Sequence, residues 1–204
     1  RWLVADEERG FTLNPETPGI SSLRVRHAEL AEPKPAGAFR ILHIGDSVSW
    51  DEDGFVTTLA RDLASHGSEG TEVINAAVPG YTIYQERRTL ERLIAPVAPD
   101  LVILQYCLND NHRFLHRLTE DGGWLFTQES RSLLVADGDG LVDRFSRWSY
   151  LALEIRRTLF KLQHGERGVF PWEGRADFHA AWDDGSWDFV AAELQLMLAC
   201  VRAT

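Results

Sequence analysis

Three short polar groups in this chain have the residue types that acyl-transfer chemistry needs: Gly45-Asp46-Ser47, Pro79-Gly80-Tyr81-Thr82 and Leu108-Asn109-Asp110. A serine hydroxyl at a strand-to-loop turn can attack a carbonyl carbon, which drives negative charge onto the carbonyl oxygen. A glycine N–H and an asparagine carboxamide are donors of the kind that hold such an oxyanion. Taken singly, Ser, Gly and Asn are what any tight turn uses. Their significance rests on order and setting, because each group directly follows an apolar run.

Those runs are the elements that must position the polar groups. Phe39-Arg40-Ile41-Leu42-His43-Ile44 reads as a first core strand, Glu72 to Val78 as a second and Asp100 to Tyr106 as a third. Between them, Phe55, Leu59 and Leu63 repeat every four residues over a helix from Gly54 to His66, and a second helix is expected from Tyr84 to Leu93, ending before Pro96. Strand and helix in alternation predict a parallel sheet flanked by helices. In such sheets ligands bind beyond the carboxyl ends of the strands, where all three polar groups fall.

The flanks read more weakly. Residues 1–38, with Pro15, Pro18, Pro33 and Pro35, lack a helical or strand period and are expected to form an extended lead-in to a domain over 39–204. Turn residues 136–140 between Leu133-Leu134-Val135 and Leu141-Val142 suggest a β-hairpin outside the sheet. Helices are expected from Trp148 to Leu162 and from Trp187 to Val201, the latter with Phe189, Val190, Leu194, Met197, Leu198 and Val201 on one face.

Composition narrows the class. At 204 residues, 44% hydrophobic and 25% charged, the chain can bury a core without staples. A net charge of −10 repels phosphate backbones, so nucleic acid is not an expected partner. No apolar run approaches the roughly 20 residues of a membrane-spanning helix. Cys107 and Cys200 lack the spacing of a disulfide framework or zinc site and read as two buried free thiols. No metal or cofactor is called for, since the acids around Asp51-Glu52-Asp53 and Asp183-Asp184 offer too few ligands for calcium.

The three blocks resemble those of the SGNH hydrolases, the GDSL esterase and lipase superfamily. The first reads Gly45-Asp46-Ser47-Val48-Ser49, the second Asn75-Ala76-Ala77-Val78-Pro79-Gly80-Tyr81, and the third Cys107-Leu108-Asn109-Asp110, with Pro99-Asp100-Leu101-Val102-Ile103 as its lead-in. The match runs from about Phe39 to Asn111. It implies a flavodoxin-like three-layer α/β/α fold and a serine-dependent ester hydrolase acting on an acyl ester, for which an O-acetylated carbohydrate or a lipid are candidate substrates. Ser47 would be the nucleophile, and Ser47 N–H, Gly80 N–H and the Asn109 side chain would form the oxyanion hole. Asp46 is expected to shape the loop by hydrogen bonding. Members with a similar lead-in are often exported or membrane-tethered, which is the expectation for localisation here.

The sequence departs from the family at Asp51 and Cys107, where glycine is usual, and contains no Asp-x-x-His block to supply the general base. The chain therefore reads as an N-terminal portion with its sheet incomplete at the C-terminus. Of the histidines, His179 has the wrong spacing, His112 and His116 read as loop residues, and His43 as a satisfied buried strand residue. Two other functions stay open: a non-catalytic carbohydrate- or partner-binding module without the base, and an O-acyltransferase using the same site. Trp172, Trp182 and Trp187 could line a sugar or acyl surface, or simply pack.

Overall fold

The computed structural model describes residues 1–51, 53–67, 70–107, 116–126 and 184–203. Two strands, β1 (Leu3–Asp6) and β2 (Gly10–Leu13), precede β3 (Phe39–Ile44), a 3-10 turn (Ser47–Ser49), helix α1 (Phe55–Ser65), β4 (Thr71–Asn75) and helix α2 (Ile83–Val97). They are followed by β5 (Leu101–Leu104), β6 (His116–Leu118), β7 (Trp124–Phe126) and helix α3 (Asp184–Arg202).

β3 is the central strand of a parallel sheet ordered β4-β3-β5. In order of appearance these strands run 2-1-3, the arrangement of flavodoxin-like sheets. Alternate residues of β3 show how the layers form. Leu42 and Ile44 belong to the core cluster that holds Leu90, Leu93, Ile94 and Val97 of α2 together with Val190 and Met197 of α3. His43 points the other way, its ring 5.0 Å from that of Phe55 on α1. Helices therefore flank both faces, as right-handed crossovers require when the chain steps from β3 to β4 and back across to β5. The class is α/β, with a three-stranded parallel sheet among the described residues.

Several expectations are corrected. The lead-in is not extended throughout, because β1 and β2 pair as an antiparallel hairpin with Leu3 opposite Leu13. Phe11 and Leu13 bury against Val78 and Tyr81, a tertiary contact that a short strand's own period does not announce. Helix α2 starts at Ile83, where Thr82 and Gln85 make a capping box with Thr82 N–H donating to Gln85 Oε1 at 3.0 Å. It also runs past Pro96, since a proline in the last turn removes one hydrogen bond only, and ends in the left-handed Ala98. On α3, Val190 and Met197 are buried, but Leu198 and Val201 face outward at 52% and 38% exposure. Half-buried Cys200 and buried Glu193 take part in the packed face instead.

A second hairpin, β6–β7, places Leu118 in the Phe11–Tyr81 cluster. The expected hairpin around 133–142 and helix from 148 to 162 lie outside the described residues. Among the described residues no helix is long and apolar enough to cross a membrane. Both cysteines are thiols outside any disulfide and are half-buried rather than fully buried, and burial pushes the Cys200 thiol up.

Candidate active site

The carboxyl ends of the three parallel strands are laced together one step beyond the sheet. Ala76 N–H donates to His43 O at 2.8 Å, Val78 N–H to Gly45 O at 3.1 Å, and Gln105 N–H to Ile44 O at 2.9 Å. The loops carrying Ser47 and Gly80 thus leave one edge of the sheet from neighbouring strands. Asn109 lies outside the described residues.

Ser47 begins the 3-10 turn and is exposed, whereas Asp46 beside it is fully buried. Asp46 caps the turn: its Oδ1 accepts from Val48 N–H at 2.9 Å and its Oδ2 from Ser47 Oγ at 3.5 Å. The carboxylate therefore shapes the loop by hydrogen bonding. Ser49 N–H and Trp50 N–H close the turn on Asp46 O and Ser47 O at 3.3 and 3.2 Å. Among the described residues, Ser47 N–H has no hydrogen-bond partner.

Behind the turn lies a buried relay. Ser49 Oγ donates to Gln105 Oε1 at 2.8 Å and lies 3.3 Å from His43 Nε2. One hydroxyl proton serves one acceptor, so His43 must be the Nε2–H tautomer donating to Ser49 Oγ. Gln105 Oε1 also accepts Asp46 N–H at 3.4 Å, and Asn75 Nδ2 donates to Ser49 O at 2.9 Å. His43 near the end of β3, Asn75 at the end of β4 and Gln105 directly after β5 all hold the serine turn. Sequence reasoning missed Ser49 and Gln105 as a pair; their signal was a serine in the turn that follows β3 and a polar residue directly after β5.

Gly45 shows how tightly this is built. A Cβ there would sit 2.8 Å from Gln105 Oε1, 3.0 Å from His43 Cε1 and 3.1 Å from Ser49 Oγ. Gly45→Ala is expected to cost about 1–3 kcal/mol, read as a lowered urea midpoint, and to displace Ser47. An unchanged midpoint would show that the relay yields freely.

Gly80 occupies the third position of a turn closed by Tyr81 N–H to Val78 O at 3.1 Å. Its φ of +82° and Pro79 before it make this a type II turn, where a side chain would be strained. Among the described residues, Gly80 N–H has no hydrogen-bond partner either. Tyr81 fixes the turn from behind: it is 1% exposed, its ring is 5.2 Å from Phe11, and its hydroxyl donates to Phe11 O at 2.8 Å. The hairpin β1–β2 is thus the wall against which the glycine loop is set.

His43 is buried, and burial lowers its pKa from 6.5 to about 4, with the Asn75 side chain opposing only in part. Its Nδ1 has no hydrogen-bond partner among the described residues. Because the unfolded chain takes this proton first, the neutral ring contributes stability that is complete above about pH 6.5 and is lost as pH falls towards 4, on the order of 3 kcal/mol. His43→Gln is expected to flatten that acid limb in urea melts taken at pH 7 and pH 4.5. An unaltered limb would place the acid sensitivity elsewhere.

Among the described residues the only hydrogen bond of Ser47 Oγ is to Asp46, and no histidine reaches it. No group of three or more His, Cys, Asp or Glu that could hold a metal ion occurs in the same set. Asp51 and Asp53 are exposed. Trp187 is 44% exposed with its ring 6.1 Å from Tyr106, while Trp172, Trp182, His112 and His179 lie outside the described residues.

No family model matches the chain, and no curated protein does. Among solved structures, it is similar to that of TesA, at 32% sequence identity and a TM-score of 0.33. That match covers 35% of this chain and 42% of the TesA chain, so it spans less than half of the solved protein.

Proposed function

We propose that this chain is a serine-dependent ester hydrolase of the SGNH type, with Ser47 as nucleophile. One observation carries the proposal: an exposed serine begins a buried-aspartate-capped turn at the carboxyl end of the central strand, with its own N–H unpartnered among the described residues. The Gly80 turn on the neighbouring strand offers a second N–H of the same kind.

In the proposed reaction Ser47 Oγ bonds to the acyl carbon and the carbonyl electron pair moves to oxygen, where Ser47 N–H, Gly80 N–H and the Asn109 carboxamide stabilise it. The serine proton passes to a base and then to the departing alkoxide, leaving an acyl-serine that water hydrolyses. The Asp-x-x-His pair is absent from the sequence, and the proposal leaves the base to a residue outside the described set. Removing one oxyanion donor lowers turnover by about 10²–10³ where it has been measured.

The test is covalent. The protein is incubated with a fluorophosphonate and the modified peptide is identified by mass spectrometry. Labelling at Ser47 supports the proposal. A label on another serine, or none, removes Ser47 from the chemistry.

A further inference from the structure

A concavity of about 380 Å³ opens beside the Ser47 turn, lined by Trp2, Thr17, Ile20, Arg26, Trp50 and Asp51 among others. We propose that it is a subsite for the ring of a neutral sugar, so that the alcohol part of the ester is a carbohydrate. This substrate assignment rests on the hydrolase reading, but the binding it requires does not.

The walls have the chemistry of sugar recognition. The indoles of Trp2 and Trp50 lie 5.2 Å apart between centroids, inclined by 35°. Trp2 keeps 42% of its surface exposed, so part of its indole stays open to a ligand. The face of an indole carries negative charge density, and the C–H face of a pyranose presents the complementary positive hydrogens. Sugar hydroxyls need donors and acceptors at the rim, and Arg26, Asp51 and Thr17 supply both. Among the described residues the lining carries one cation, Arg26, and one anion, Asp51, a balance that favours a neutral ring over a uronate or a phosphate. The volume lies in the lower part of the range for small-molecule sites, enough for one or two rings rather than a long acyl chain.

The subsite is braced by its own contacts and adjoins the Ser47 turn. The Arg26 guanidinium lies 4.5 Å over the Trp50 ring and donates to Trp50 O. Trp50 N–H in turn donates to Ser47 O at 3.2 Å. One turn of backbone therefore joins the indole to the proposed nucleophile. Trp2 precedes β1, which makes the hairpin that buttresses Gly80 also the carrier of the second indole.

The experiment is calorimetric titration of the Ser47→Ala protein with cellotetraose, xylotetraose and chitotetraose, so that no turnover intrudes. At least one is expected to bind with a dissociation constant in the roughly millimolar range. Trp2→Ala is expected to weaken it by about tenfold, the size of one lost aromatic contact, and Trp2→Phe to restore most of it. Thermal melts of both variants separate loss of binding from loss of fold. Absence of binding by all three sugars up to about 10 mM overturns the proposal, as does binding that Trp2→Ala leaves unchanged. If instead Trp2→Ala weakens only hydrolysis of 1-naphthyl acetate and no sugar binds, the pocket holds an aromatic ester and the proposal is equally overturned. Trp2-dependent sugar binding with Ser47 unlabelled by fluorophosphonate keeps the subsite and removes the hydrolase reading instead.

Discussion

Ser47→Ala is expected to abolish hydrolysis of 4-nitrophenyl acetate by the active protein, a fall of about 10⁴–10⁶ in kcat, by analogy with the nucleophile of another serine hydrolase. The physical reason is that the acyl-serine splits one difficult displacement into two easier ones, and alanine has no atom to form that bond. The variant should fold as the parent does, because Ser47 is exposed and its hydroxyl makes only a 3.5 Å contact to Asp46. Asp46 keeps its stronger bond from Val48 N–H at 2.9 Å, so the turn survives. A rate above that of water and unchanged by the substitution would locate any esterase activity elsewhere in the chain.

Arg40→Met is expected to destabilise the domain by about 3 kcal/mol, lowering Tm by roughly 10 °C. Arg40 is fully buried in the central strand, where a charge is tolerated only with partners. Its Nε donates to Glu72 Oε2 at 2.5 Å, one terminal nitrogen to Val97 O at 3.0 Å and the other to Ala31 O at 2.8 Å. Methionine fills the volume but leaves the carbonyls at the end of α2 and in the lead-in without their donor. Glu72, being partly exposed, can turn to water and adds less. Arg40→Lys is expected to recover part of the loss, since an ammonium can pair with Glu72 but lacks the planar fork that spans both carbonyls. A calorimetric melt checks both variants. A Met variant as stable as the parent would mean that the carbonyls find water.

These residues show where a linear reading succeeds. Ile41, Leu42 and Ile44 are buried because a strand covered on both faces demands a continuous apolar run, and that run is visible in the sequence. The same strand also misleads: Phe39, apolar, is 45% exposed, while Arg40 is fully buried. Hydropathy has no term for a guanidinium whose donors meet two distant carbonyls. The second polar loop was legible for a similar reason to the core strand, because Pro79-Gly80 names a turn that only glycine accommodates without strain. The buttress behind it was not, since the Tyr81 hydroxyl bond to Phe11 O joins residues 70 positions apart.

Residue order by itself determined the alternation of strand and helix, the parallel sheet and the placing of Ser47 and Gly80 at strand ends, because periodicity and turn chemistry are local and each is written within a few residues. Only the tertiary structure decided that the β1–β2 hairpin leans on the glycine turn, that His43, Ser49 and Gln105 form one relay beneath the serine, and that Trp2 and Trp50 share a hollow beside it. Those contacts depend on where chain closure brings residues far apart in sequence, and their energies come from directed hydrogen bonds and ring packing in a shared low-dielectric space, which no single stretch of sequence contains.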